Sequence, residues 1–155
     1  MKNNISKDHL HTICEQYYDS LTKLAFSYLK NMFDAQDIVQ DVFMSYIRSA
    51  PIFESDEHER AWLLRVTINK CKDHFKKTRN KRTDEIIYYI PPSQESAELL
   101  ALVMSLPEKY RFPVHLFYYE DMSIAEIAEI LGEKPATIGT RLARARKILE
   151  SALKE

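Results

Sequence analysis

The chain has 155 residues, 45% of them hydrophobic, and a net charge of −1. That length allows one medium domain or two small ones, and the apolar fraction excludes wholesale disorder. Only two glycines occur, Gly132 and Gly139; an all-β protein with many tight turns needs more, so helices joined by short connections are expected.

No apolar run approaches the roughly 20 residues that span a bilayer, so no membrane insertion is expected. The stretch Met1-Lys2-Asn3-Asn4-Ile5-Ser6-Lys7-Asp8 has no apolar core of a signal peptide, which points to a cytoplasmic location. Cys14 and Cys71 stand apart with no CxxC pair, as two free thiols would. The neutral total hides an uneven distribution. Arg65 to Arg82 holds eight basic residues against one acid, Asp73, and a second basic group, Arg141, Arg144, Arg146 and Lys147, lies near the C-terminus. Acids gather instead at Asp34, Asp37 and Asp41 and from Glu54 to Glu59. Two basic blocks suggest two surfaces with different partners, although such runs are also ordinary solvated faces.

In chain order, Leu21, Leu24, Ala25, Tyr28 and Leu29 recur at helical spacing, after Tyr17 and Tyr18. A break at Asn31-Met32-Phe33-Asp34 precedes a second helix. Asp34 is its expected N-cap, and Ile38, Val39, Val42, Phe43, Tyr46 and Ile47 form its buried stripe. Pro51 ends it. The polar stretch from Glu54 to Glu59 reads as a loop into a third helix, from about Ala61 to Lys77, burying Trp62, Leu63, Val66, Ile68 or Thr67, and Phe75. Trp62 reads as core rather than as a wedge for strand separation. Residues 79–96 read as a linker, since Pro91-Pro92 forbids a helix; its apolar run Ile86 to Ile90 reads as packed on something, or as a short strand. A helix near Glu95 to Ser105 follows. Another, through Tyr110 to Tyr119, carries Pro113 in its expected first turn.

Ser123-Ile124-Ala125-Glu126 is a capping box. Ile124, Ile127, Ala128 and Leu131 then give one apolar face, Gly132 suits the left-handed turn after the helix, and Pro135 suits the start of the next. That next helix buries Ile138, Leu142, Ala145 and Leu149. Two short helices, a glycine turn and a basic second helix make a helix-turn-helix. Thr137, Thr140, Arg141 and Arg144 share one side of the second helix, with Arg146 and Lys147 flanking the rest. Arginine forks pair with guanine, and cations on phosphate supply salt-dependent affinity.

The stretch Leu106-Pro107-Glu108-Lys109-Tyr110-Arg111, through Tyr119 to Ser123 and Glu126-Ile127-Ala128, to Thr140-Arg141-Leu142-Ala143-Arg144-Ala145-Arg146 resembles the C-terminal domain of extracytoplasmic-function sigma factors of the sigma-70 family. Asp34-Ala35-Gln36-Asp37-Ile38-Val39-Gln40-Asp41-Val42-Phe43 is similar to that family's polymerase-binding helix. Ala61-Trp62-Leu63-Leu64-Arg65-Val66, with Asn69 and Asp73-His74-Phe75-Lys76-Lys77, is similar to its promoter-opening helix. The likeness spans about Tyr17 to Leu153 and implies an all-α protein of two small helical domains. Residues 1–78 would bind polymerase and the −10 element, and residues 97–155 would bind the −35 element.

On that resemblance Asp34, Asp37, Gln40 and Asp41 dock core RNA polymerase. Asn69 reads a flipped base of the −10 element, and Arg65, Lys70, Lys72, Lys76, Lys77 and Arg79 hold the strand, since single-stranded DNA needs a cationic groove with pockets for bases. Thr137, Thr140, Arg141, Arg144, Arg146 and Lys147 read the −35 element of promoter DNA. Gly139 departs from the polar residue common there. It weakens a helix interior by up to about 1 kcal/mol relative to Ala and permits close backbone approach to DNA. No catalysis, cofactor or metal is implied, and an anti-sigma factor is a further partner to expect. A stand-alone helix-turn-helix regulator explains residues 106–153 but leaves the acidic helix and Asn69 as coincidences. A metal-dependent nuclease needs convergent carboxylates, which a row of aspartates along one helix does not supply.

Overall fold

The computed structural model describes residues 6–78 and 94–153. Their order is α1 (Lys7–Leu29), α2 (Met32–Ser49), α3 (Asp56–Thr78), α4 (Gln94–Ser105), α5 (Glu108–Tyr118), α6 (Ile124–Leu131) and α7 (Pro135–Leu153). The chain divides into an N-terminal unit with α1–α3 and a C-terminal unit with α4–α7, so the all-α, two-unit architecture expected from the sequence is present. The stretch read as the linker, with its apolar run and Pro91-Pro92, lies outside the described residues apart from the start of α4.

In the N-terminal unit Leu21, Leu24 and Ala25 of α1, Val39 and Val42 of α2, and Leu63, Leu64 and Ile68 of α3 are all essentially without solvent exposure, and the three helices pack on one another. Lys30 and Ala50, at φ 60° and 39°, turn the chain out of α1 and α2 in the left-handed conformation. Several sequence readings need correction here. The N-cap of α2 is Asn31, not Asp34: the Asn31 side chain accepts the Asp34 N–H at 3.1 Å. The helix therefore starts earlier, and Asp34 sits in its first turn, where a negative charge suits the exposed amides. Ile47 does not belong to the buried stripe of α2. It lies at the edge of the arc and is 45% exposed.

The acidic stretch read as a loop is mostly the first turn of α3, which begins at Asp56. Ser55 accepts the His58 N–H at 3.1 Å, as an N-cap does, and Asp56, Glu57 and Glu59 follow in that first turn. Thr67 and Ile68 are both buried; the Thr67 hydroxyl donates to the Leu63 carbonyl at 2.7 Å. Trp62, Val66 and Phe75 are only half-buried. Trp62 packs edge-on to Tyr46 and Phe53, with ring centres 5.7 and 6.0 Å away.

In the C-terminal unit Val103, Leu106, Tyr110, Val114 and Ala145 form a core, against which Tyr119, Leu142 and Leu149 pack. Pro113 falls in the second turn of α5, not the first, because the helix already begins at Glu108 after Pro107. The buried face of α6 is Ile127, Ala128 and Ile130, while Ile124 is 38% exposed and Leu131 half-buried. The face is thus rotated from the i, i+3, i+4, i+7 reading, because α6 is short and lies against both α5 and α7.

Candidate nucleic-acid interface

The turn between α6 and α7 is set by its own sequence. The Ser123 side chain accepts the Glu126 N–H and the Glu126 carboxylate accepts the Ser123 N–H, each at 3.1 Å, which completes the capping box. Gly132 takes φ 67°, and the Glu133 N–H returns to the Ala128 carbonyl at 2.9 Å, so the helix closes and the chain reverses. Pro135 then opens α7, in the position where its missing N–H costs no helical bond.

Thr137, Thr140, Arg141 and Arg144 come together on α7. With Ala136, and with Lys109 and Tyr110 of α5, they line an open cleft of about 410 Å³. Lys109 was not among the candidate residues; its Nζ lies 5.1 Å from the centre of the Tyr110 ring, a cation–π placement. The Thr140 hydroxyl donates to the Ala136 carbonyl at 3.0 Å, and Arg141 Nη2 lies 3.4 Å from Glu133 Oε1. Arg146 and Lys147 are exposed but do not line the cleft. Among the described residues nothing lies within 4 Å of a Cβ placed on Gly139, so their packing does not require glycine there.

On α3, Arg65, Asn69 and Lys76 are exposed and Lys72 is half-buried; their spacing of four, three and four places them along one face. Lys70, half-buried, and Lys77, exposed, lie to one side of it. Arg79 lies outside the described residues. On α2, Asp37, Gln40 and Asp41 face solvent beside the exposed apolar Met44 and Ile47, apolar neighbours that a reading of charge alone does not bring out. Asp34 is set apart. It is half-buried, with Oδ2 3.2 Å from His74 Nε2 of α3, a charge pair when the imidazole is protonated.

A feature hidden from sequence reasoning lies where α1, α2 and α3 meet. Glu59 is buried, and the Tyr46 hydroxyl donates to its Oε2 at 2.8 Å. His9 Nε2 lies 3.1 Å from that hydroxyl and 3.5 Å from the carboxylate. Tyr46 has one proton, given to Glu59, so His9 is the donor to Tyr46. Burial and then the Glu59 carboxylate push the Tyr46 hydroxyl well above its ordinary range. Beside this network is a cavity of about 590 Å³, lined by Tyr46, Phe53, Glu54, Asp56, Glu59 and neighbours. Cys14 and Cys71 are free, and burial raises both thiols. Among the described residues no group of three His, Cys, Asp or Glu side chains could hold a metal ion, and no helix is long and apolar enough to cross a membrane.

Residues 13–81 match the family model of sigma-70 region 2, and residues 96–149 match that of sigma-70 region 4. RNA polymerase sigma factor SigV of Bacillus subtilis is 31% identical, over 98% of this chain and 95% of the relative. The chain belongs to the sigma-70 family of RNA polymerase sigma factors. ECF RNA polymerase sigma factor SigW of the same organism is 26% identical, over 96% of this chain and 91% of its own length, which places the chain in the extracytoplasmic-function group. Solved structures similar to this chain include two complexes. One is the sigma factor RpoE in complex with the anti-sigma factor NepR from Bartonella quintana, with a TM-score of 0.77 and 25% identity over 96% of this chain and 98% of that one. The other is CnrH in complex with the cytosolic domain of CnrY, with a TM-score of 0.72 and 26% identity over 96% and 90%.

This sigma factor binds core RNA polymerase and directs it to promoters through −10 and −35 elements; it is not an enzyme. The stand-alone regulator is set aside by the region 2 match, which covers the half of the chain that reading left unexplained.

Proposed function

We propose that three surfaces divide the work of initiation. The outer face of α3, with Arg65, Asn69, Lys72 and Lys76, and Lys70 and Lys77 beside it, takes the −10 strand, and Arg79 extends this basic run. A separated strand needs cations for its backbone and places for unstacked bases. The cavity beside Tyr46 and Phe53, about 590 Å³ with carboxylates in its wall, has room for one base and acceptors for its amino group. Asn69, exposed on the same helix, can pair with a base edge through both ends of its amide.

The cleft on α7 takes the −35 duplex. Thr137, Thr140, Arg141 and Arg144 face the groove, and Arg146 and Lys147 reach flanking phosphate. The observation that carries this reading is the convergence of Lys109, Arg141 and Arg144 on one cleft behind a capped helix-turn-helix. Asp37, Gln40 and Asp41 of α2, with Met44 and Ile47 beside them, dock the polymerase. Asp34 belongs to the same surface when released from His74. The protein works in the cytoplasm, beside its polymerase. An anti-sigma factor is a partner to seek, since the similar RpoE structure carries one.

Asn69→Ala tests the central assignment. The variant is expected to co-elute with core polymerase like the parent and yet leave thymines near the start site unreactive to permanganate. Unchanged opening would move base capture elsewhere on α3.

A further inference from the structure

Glu133 follows Gly132 in the turn of the helix-turn-helix. Its main chain is fixed there: the Gly132 N–H points at the Glu129 carbonyl at 3.4 Å and the Glu133 N–H donates to the Ala128 carbonyl at 2.9 Å, the bond pair of a Schellman motif. From this anchored position the carboxylate reaches Arg141, eight residues on, with Oε1 3.4 Å from Nη2 in hydrogen-bonding geometry. The two side chains are 39% and 28% exposed. An ion pair so wetted adds little to folding; its consequence lies in the direction it gives Arg141. That guanidinium lines the cleft with Thr137, Thr140 and Arg144. One of its nitrogens rests on Glu133, while the planar fork keeps further N–H donors for another acceptor.

We propose that Glu133 is a positioning residue that reserves Arg141 for a base edge and withholds it from indiscriminate phosphate contacts. The proposal rests on the assignment of the α7 cleft to duplex DNA. On a favoured sequence the pair persists, with Arg141 bridging Glu133 and the base. On any other duplex, affinity comes from phosphate neutralisation alone, so Arg141 has to leave Glu133 to contribute, and the carboxylate repels the same phosphate. Glu133 therefore penalises wrong sequences more than right ones, which is discrimination by a repulsive element. Gly139 offers no side chain for readout on this helix, and more of the choice then falls on Arg141 and Arg144.

The test measures binding of the full chain to two labelled duplexes over a range of salt. One has random sequence; the other is enriched from a random pool by the unaltered chain. Glu133→Gln is expected to tighten binding to the random duplex about two- to fivefold, the worth of an exposed pair, without tightening the enriched one. Its salt dependence on the random duplex is expected to steepen by about one unit, for one more neutralised phosphate. In an Arg141→Ala background the same substitution is expected to give a clearly smaller gain, left only by the loss of the carboxylate's own repulsion, as coupling through Arg141 requires. Equal tightening on both duplexes, or the same gain with and without Arg141, overturns the proposal and leaves Glu133 as a plain negative charge. Should Arg141→Ala alone leave both affinities intact, the assignment of α7 to duplex DNA fails first.

Discussion

Glu59 and Glu126 both occupy the first turn of a helix, and the two units of the molecule use them in opposite ways. Glu126 is exposed and bonds to Ser123, three residues back, so it fixes the start of its own helix. Glu59 is buried and bonds to Tyr46 on α2, with His9 of α1 beside it. The C-terminal unit thus builds the turn of its helix-turn-helix from neighbours in sequence, whereas the N-terminal unit joins three long helices through contacts between distant residues. The first arrangement tolerates change around it. The second concentrates the cost of any change in a few buried groups.

The largest effect that separates the units comes from their cores. Leu63→Ala, at a fully buried position, is expected to destabilise the N-terminal unit by about 2–5 kcal/mol. Trp62 is the only tryptophan, so its fluorescence in urea reports that unit directly. Tyr46→Phe removes the donor to a buried carboxylate and is expected to cost about 1–3 kcal/mol by the same readout. It carries a pH signature as well. The folded state raises the Tyr46 hydroxyl above its ordinary value of 10.0. The stability held by its neutral form is therefore complete below that value and is lost as the pH rises past it. The parent is expected to weaken above pH 10 more steeply than Tyr46→Phe, in urea titrations at stepped pH.

The local device in the other unit is worth less. Ser123→Ala is expected to cost about 1 kcal/mol, read as a shift in the thermal unfolding of the full chain, and to leave the Trp62 transition in urea where it was. If the Trp62 transition moved as far as for Tyr46→Phe, the contrast between the units would break. Smallest of all, Gly139→Ala is expected to stabilise α7 by up to about 1 kcal/mol, because a helical glycine with open space around it gives away only entropy. Gly132→Ala is expected to destabilise, since φ 67° strains a residue with a Cβ even where the space is open.

The same contrast explains what could be read in advance. The helix-turn-helix was legible almost to the residue, because Ser123, Glu126, Gly132 and Pro135 act on their own neighbours. The N-terminal boundaries were not. Asn31 and Ser55 compete with nearby acids for the role of cap, and an acidic run looks like a loop until Glu59 is seen buried against Tyr46. Ile47 continues a correct spacing, but none of the described elements covers it, and only packing tells that. The cavity at the junction of α1, α2 and α3, and the pairing of Asp34 with His74, join residues far apart in sequence, which periodicity cannot reach. Lys109 belongs to the motif Leu106 to Arg111, yet its place in the cleft depends on α5 packing against α7.

Initiation in a defined system probes the whole account most directly. Core polymerase freed of sigma factor, supplied with this chain and a bacterial genomic template, is predicted to give discrete start sites preceded by a shared two-part sequence. Arg144→Ala is predicted to shorten the upstream end of the footprint without releasing the chain from polymerase. Transcripts no more ordered than those of core polymerase alone would contradict the account.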